Sequence, residues 1–296
     1  MKKHSLKAWI LATRPWSFPA SAMPVLVTIA YLFWLGYDVN LSTGVWTIIA
    51  IVIFHAAGNT WSDYHDYIKG VDREDTIGGT SIVSGEFKHQ EIRFLAIILM
   101  ITAISLGIGL VIYTGLPTLY IGLIGAILTM LYPWFKYHAL GDVNIFLSYS
   151  LLPILGTSFV VTGSFHIETL WLSVPIGLIT VGILHINNTR DIESDKRANI
   201  KTLAMLIGMK KSILMYCTEL IFPFIWVIGG IIFHLFPLWS FIILIALKPA
   251  IDNVRQVLRS HKEGPKALWG IDEMTAKLQL MFSLLMTLAL ILSKLI

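Results

Sequence analysis

The stretch Gly58-Asn59-Thr60-Trp61-Ser62-Asp63-Tyr64-His65-Asp66-Tyr67-Ile68-Lys69-Gly70-Val71-Asp72-Arg73-Glu74-Asp75-Thr76 ends a long apolar run and places five carboxylates within thirteen residues. If the helix of the apolar run continues into it, Asn59, Asp63 and Asp66 recur at i, i+4 and i+7 with Ser62 beside them, so their oxygens share one face. Like charges gathered on one face repel unless a cation neutralises them. An all-oxygen donor set suits Mg2+ or Ca2+ better than zinc or copper. Taken alone, the stretch is more simply a solvated acidic loop between two membrane helices.

A second cluster shifts that balance. Asn187-Asn188-Thr189-Arg190-Asp191-Ile192-Glu193-Ser194-Asp195 also follows an apolar run, with Asn187, Asp191 and Asp195 at i, i+4 and i+8. Two such faces, each closing a membrane helix on the same side, are the arrangement expected for two Mg2+ ions bridging one diphosphate, with Mn2+ as a possible substitute.

The chain around these clusters is a membrane chain. Of its 296 residues, 56% are hydrophobic and 14% charged, the composition of a polytopic membrane protein. Runs of about 20 apolar residues fall near 16–36, 44–61, 93–113, 116–135, 143–163, 169–187, 211–232, 235–253 and 274–293. This predicts nine transmembrane helices around a central cavity in an all-α, single membrane-embedded domain over 1–296. The clusters follow the second and sixth spans, which suggests two four-helix units plus one. With the N-terminus inside, 21 of the 22 Lys and Arg residues lie in cytoplasmic segments and only Lys294 lies outside, as the positive-inside rule requires. The expected location is the cell membrane, with the acidic loops cytoplasmic. The net charge of +4 reflects that loop asymmetry and gives no reason to expect nucleic-acid binding. The first span reads as uncleaved, and Cys217, the single cysteine, reads as packing.

Other segments supply candidate partners for an anion. Arg14-Pro15-Trp16-Ser17-Phe18-Pro19 opens the first span with an interrupted backbone, and Arg14 at its mouth is either a substrate contact or an interfacial anchor. The polar stretch Thr76 to Glu86 reads as a lid or binding element, with Lys69, Arg73 and Lys88 as nearby cations. Tyr132 and Lys136 share a face at i, i+4 if Pro133 sits in the final turn of the fourth span. Ala198 to Leu203, with Lys201, is a second loop that could face a phosphate.

These residues resemble the UbiA superfamily of intramembrane prenyltransferases. Asp191-x-x-x-Asp195 matches its second aspartate motif, and Ser62-Asp63-x-x-Asp66 resembles its first, with Ser62 where asparagine is usual and Gly70 where the last aspartate is expected. The run Asp63-Tyr64-x-Asp66-x-x-Lys69-Gly70-x-Asp72 looks like the variant of the MenA branch, the 1,4-dihydroxy-2-naphthoate prenyltransferases, with the final aspartate moved to Asp72. Arg14 to Ala20, Tyr132-Pro133, Leu140-Gly141-Asp142, Asn187 to Asp195, Lys201-Thr202-Leu203 and Thr275 to Leu278 continue the likeness. An arginine expected near Thr80 or Ser81 is missing. The resemblance implies that Asp63, Asp66, Asp191 and Asp195, helped by Asn59, hold Mg2+ on a polyprenyl diphosphate. It implies that Lys136, Lys201, Arg73 and Tyr132 contact the diphosphate, and that Arg14, Asp72 and Asn188 contact substrate. It further implies transfer of the prenyl group to an aromatic acceptor, giving a demethylmenaquinone. A different acceptor, such as 4-hydroxybenzoate or a glycerol-based lipid, is the nearest alternative. A divalent-cation transporter is more remote, because it should carry its carboxylates at the bilayer midplane and only Glu219 lies well inside a span.

Overall fold

The computed structural model describes residues 4–74 and 81–296. The described chain is helical throughout: α1 (Leu6–Ala12), α2 (Pro19–Leu35), α3 (Leu41–Lys69), α4 (His89–Thr114), α5 (Leu116–Met130), α6 (Tyr132–Tyr137), α7 (Gly141–Phe146), α8 (Leu152–Thr162), α9 (Ser173–Arg190), α10 (Ile192–Arg197), α11 (Leu203–Ile207), α12 (Met209–Ile232), α13 (Leu247–Glu263) and α14 (Ile271–Leu295). A π turn at Leu147–Leu151 joins α7 to α8.

Among the described residues, seven helical stretches are long and apolar enough to cross a membrane, by length and composition. The fourth and eighth expected spans are not among them. At the fourth, α5 stops at Met130, Leu131 leaves helical geometry, and α6 restarts with Pro133 in its first turn. Proline has no amide to continue the ladder, so it opens the new helix and does not sit in the final turn of the old one. At the eighth, 235–253 divides into a 3-10 segment, Leu238–Ala246, and α13. One face of α13 buries Ala250, Asn253, Val257 and Ser260 while Lys248, Arg255 and Arg259 are exposed, the pattern of an amphipathic helix.

The outer surface is apolar where lipid would meet it. On α4, Ile97, Ile101, Ile104, Ile108 and Ile112 are all exposed, each a turn from the next. The core lies on the other side, where Tyr31, Ile154, Ile176, Ile186, Leu220, Phe224, Phe282 and Met286 pack together from α2, α8, α9, α12 and α14. The two buried tyrosine hydroxyls there are paired: Tyr31 donates to the Leu235 carbonyl at 3.1 Å, and Tyr216 and Thr275 share a bond of 2.6 Å. The π turn is held by Ser150 Oγ donating to the Ser173 carbonyl at 2.8 Å. A Cβ on Gly177 would stand 2.6 Å from Phe146, so α9 packs against α7 at a distance only glycine permits.

Candidate active site

The helix α3 does run on through the first acidic cluster, to Lys69. It begins with Asn40 capping the amides of Ser42 and Thr43 at 3.0 and 3.2 Å. It ends in a Schellman turn: Gly70 takes φ 72°, its amide bonds to Tyr67 O, and the Val71 amide bonds to Asp66 O at 2.8 Å. The turn folds the chain back on itself. Val71 is then buried against Ala198 and Ile200, beyond the second cluster, and Asp72 returns to line the same cavity as Asp63 and Asp66.

Opposite α3 stands the Thr13–Ser17 corner. Arg14 adopts φ 57°, ψ 59°, a left-handed conformation that costs a non-glycine residue on the order of 1–2 kcal/mol. Asn59 Nδ2 holds the corner by donating to Thr13 O and Ser17 Oγ, both at 3.0 Å, and Ser17 also contacts His55 Nε2 at 3.3 Å. The strained backbone aims the Arg14 guanidinium at Asp63, 2.5 Å from Oδ1.

Asp66 is met from α6. Lys136 Nζ lies 2.8 Å from Oδ2 and Tyr137 Oη donates to Oδ1 at 2.8 Å. Burial alone would lower the Lys136 pKa, but Asp66, Tyr132 and Asp195 hold it well above its ordinary value, so the residue is an ammonium. Burial, and then Asp66, keep the Tyr137 phenol protonated as a donor.

The second cluster faces these groups. Helix α9 ends at Arg190, and α10 begins after Asp191, with the amides of Asp191 and Asp195 bonding to the carbonyls of Asn187 and Asp191, both at 2.9 Å. Arg190 clamps Asp191 through two bonds, 2.8 and 2.7 Å. Asp195 is buried, and its Oδ2 has no hydrogen-bond partner; the same is true of Asn187 Oδ1.

All of this encloses a cavity of about 550 Å³ lined by Asn59, Asp63, Asp66 and Asp72 from one side and Asn187, Asn188, Asp191 and Asp195 from the other. Its remaining wall includes Ala20, Thr129, Ile145, Tyr149, Ile183 and Leu184. The donor set suits a hard divalent cation: it is all oxygen, and two buried acceptor oxygens in the second cluster lack a proton donor. Burial first, and neighbouring carboxylates after it, push Asp195 up to about 7 and Asp72 up to about 6. Both groups would bind a cation in exchange for a proton.

Ten of the twelve residues singled out from the sequence line this cavity: Arg14, Asn59, Asp63, Asp66, Asp72, Tyr132, Lys136, Asn188, Asp191 and Asp195. The other two, Lys201 and Arg73, do not. Lys201 is exposed and serves through its backbone, its amide donating to Tyr137 O at 3.0 Å. Arg73 is exposed and its Nε donates to Gly70 O at 2.7 Å, steadying the Schellman turn. The first five residues of the expected lid, 76–80, lie outside the described residues. In the part that follows, Ile82, with Phe87 just after the lid, packs against Ala8 and Ala12 of α1, and Ser81 reaches the cavity wall. Sequence reasoning passed over Tyr137, His55 and the clamping role of Arg190. His55 had a signal, because it precedes Asn59 by four residues on the same face; Tyr137 had none.

A family model described as the UbiA prenyltransferase family matches residues 21–289. The chain is 31% identical over 301 residues to the UbiA prenyltransferase domain-containing protein 1 homolog of Drosophila melanogaster, a match covering 96% of this chain and 79% of the fly protein. It is 34% identical over 226 residues to the Gallus gallus protein of that name, covering 74% of this chain and 67% of the chicken protein. Among solved structures, the apo form of a UbiA homolog from Aeropyrum pernix K1 superposes with a TM-score of 0.64 at 16% identity, covering 94% of this chain and 96% of that one. A UbiA homolog from Archaeoglobus fulgidus, bound to DMAPP and Mg2+, gives 0.56 at 16% identity, covering 96% and 98%.

Proposed function

We propose that this chain, which belongs to the UbiA prenyltransferase family, transfers a polyprenyl group from its diphosphate to an aromatic acceptor inside the membrane, with Mg2+ required. The observation that carries the reading is that two acidic clusters, separated in sequence by more than a hundred residues, open on one cavity beside a buried lysine and arginine. The Archaeoglobus homolog that binds DMAPP and Mg2+ supports the choice of ligands. Asp63, Asp66, Asp72, Asp191 and Asp195, with Asn59, Asn187 and Asn188 as neutral oxygens, would hold the metal. When bound, Mg2+ neutralises the diphosphate and the charge it gains on leaving.

The protein's own groups do the rest. The Lys136 ammonium and Arg14 guanidinium stand beside the carboxylates and add positive charge where the leaving diphosphate develops negative charge. The C–O bond to the diphosphate breaks and leaves an allylic cation. The acceptor ring supplies the electron pair of the new C–C bond. The apolar and aromatic wall of Ile145, Tyr149, Ile183 and Leu184 keeps water from that cation and gives the isoprenoid chain its place.

Among acceptors we favour 1,4-dihydroxy-2-naphthoate, on the likeness of Asp63 to Asp72 and Asn187 to Asp195 to the MenA branch. The ring then loses its carboxyl group as carbon dioxide and the product is a demethylmenaquinol, whose two-electron oxidation to the demethylmenaquinone is a separate step. The carboxylate clusters are assigned to the cytoplasmic side of the cell membrane by the distribution of Lys and Arg. Purified protein supplied with labelled farnesyl or geranylgeranyl diphosphate, Mg2+ and a panel of acceptors tests both levels. Labelled prenyl naphthoquinol, or the naphthoquinone it gives on oxidation in air, supports the full reading. Transfer only to 4-hydroxybenzoate or to a glycerol-based lipid overturns the acceptor, and no transfer to any acceptor overturns the activity.

A further inference from the structure

Away from the cavity, three ionisable side chains meet in the dry interior between α7, α9 and α12. Asp142, His185 and Glu219 are 5%, 0% and 3% exposed, and one donor atom of each lies within 4.8 Å of the other two. None of the three is among the residues that line the cavity. His185 Nε2 faces the Ser212 carbonyl at 3.2 Å. A carbonyl only accepts, so Nε2 carries a proton and Nδ1 is the atom turned towards the carboxylates. It lies 2.5 Å from Asp142 Oδ2. The other oxygen of Asp142 and both oxygens of Glu219 are buried with no hydrogen-bond partner. An ionised carboxylate left this way costs several kcal/mol, of the order seen when a buried ion pair is broken. A single imidazolium cannot neutralise two carboxylates.

We infer that Asp142, His185 and Glu219 form a second metal site, distinct from the diphosphate cavity, that takes a divalent transition-metal ion, Zn2+ foremost. Two carboxylates and a neutral imidazole around a divalent ion sum to zero charge, the state an apolar interior favours. One imidazole nitrogen with carboxylate oxygens suits Zn2+, whereas the cavity's all-oxygen set suits Mg2+. The Nε2–H bond to the Ser212 carbonyl is the outer contact that a metal-ligating histidine ordinarily makes, and it presents the Nδ1 lone pair for ligation. Tetrahedral ligands at about 2.0–2.1 Å from zinc stand roughly 3.3 Å from one another. Nδ1 and Asp142 Oδ2 must therefore part by about 0.8 Å to share an ion, a movement open to a carboxylate whose second oxygen is unpartnered. His185 lies one turn before Asn188, so an ion there would brace the end of α9 that carries the second acidic cluster. The rival arrangement is metal-free, with Asp142 holding an imidazolium and Glu219 protonated.

The test loads the purified full-length protein with Zn2+, strips loosely held metal with a weak chelator, and measures zinc per chain by plasma mass spectrometry. A parallel sample carries Co2+ for its visible ligand-field bands. The expected result is a single retained zinc ion and tetrahedral cobalt bands, both lost in Glu219→Gln and both kept in Asp66→Asn, which alters only the cavity. A wild-type protein that retains no zinc and shows no cobalt bands overturns the site in favour of the proton-sharing arrangement, whatever the fate of the variant. Zinc that leaves with Asp66→Asn and stays in Glu219→Gln also overturns it, by placing the ion in the cavity.

Discussion

Lys136→Met separates a lysine that serves the chemistry from one that only balances buried charge. At 2.8 Å from Asp66 Oδ2, with both side chains largely buried, the ammonium gains a gross attraction of about 6 kcal/mol at an effective dielectric constant near 20. Desolvation of both groups cancels much of that, yet removing one partner of such a pair ordinarily costs roughly 3–5 kcal/mol of stability, because the other charge is stranded. The metal-free variant should therefore melt below the wild type, and excess Mg2+, bound by the freed Asp66, should restore most of the difference. Turnover should not recover with it. If the ammonium also meets the departing diphosphate, its loss lowers the rate at saturating prenyl diphosphate and Mg2+ by roughly tenfold to a thousandfold, about 1.4–4 kcal/mol of barrier. Because Lys136 and the metal compete for Asp66, half-saturation in Mg2+ should move to lower concentration in the variant. The assay is initial-rate transfer in detergent with Lys262→Ala, an exposed change on α13, as the control. Wild-type turnover in Lys136→Met at saturation of both ligands would refute the catalytic role, even if the melting change were as expected.

Excess EDTA should abolish transfer, and Asp66→Ala and Asp191→Ala should each nearly do so in protein that still elutes as folded; undiminished activity in EDTA rejects the metal reading. The raised carboxyls of Asp72 and Asp195 carry a sign for stability. Their ordinary pKa is 3.8, and the fold holds them at about 6 and about 7, so the native state binds protons that the unfolded chain releases. Their contribution is intact in acid and is lost as pH rises through that window; metal-free melts at about pH 5 and about pH 8 should therefore fall with pH, and Mg2+ should flatten the slope. A metal-free profile without that fall counts against the assignment. Tyr137→Phe removes a donor from Asp66 and should lower stability by roughly 1.5–3 kcal/mol, whereas Lys201→Ala, with its ammonium exposed, should change turnover less than about twofold; equal effects from the two in melts and rates would remove Tyr137 from the site.

What the sequence made legible followed from periodicity. The spacing of Asn59, Asp63 and Asp66 was enough to place three side chains on one wall, because α3 continues unbroken to Lys69. The nine hydropathy runs were real apolar segments, but a hydropathy average does not register where the backbone ladder stops. Pro133 lacks the amide that would have joined α5 to α6, and 235–253 divides between a 3-10 segment and an amphipathic helix. The Lys201 and Arg73 assignments rested on charge near a cluster, and charge proximity in sequence does not say whether a side chain or a backbone amide turns inward. Tyr137 reaches Asp66 only because α6 starts afresh at Tyr132 and ends beside the loop that holds Lys201, a tertiary arrangement with no local signature.

The arrangement of partners around the five aspartates bears on how the cavity can wait for its ligands. Asp63, Asp66 and Asp191 each have a basic residue within 2.8 Å, namely Arg14, Lys136 and Arg190. Among the described residues no ion pair involves Asp72 or Asp195, one from each cluster, and burial pushes their carboxyls up to about 6 and about 7. Of these five aspartates in the two clusters, three are thus matched by fixed cations and two partly by protons. Fixed cations remain when a metal binds, while protons can leave, so the pair formed by Asp72 and Asp195 is where incoming divalent charge is least opposed. On the proposed reading, Arg14 and Lys136 then turn from carboxylate to diphosphate as the metal takes their place. A cavity with five aspartates and no basic residues would draw cations without any substrate present. Three paired aspartates raise the cost of binding metal alone, and an accompanying anion that occupies Arg14 and Lys136 lowers it again, so the charge pattern favours taking up metal and diphosphate together.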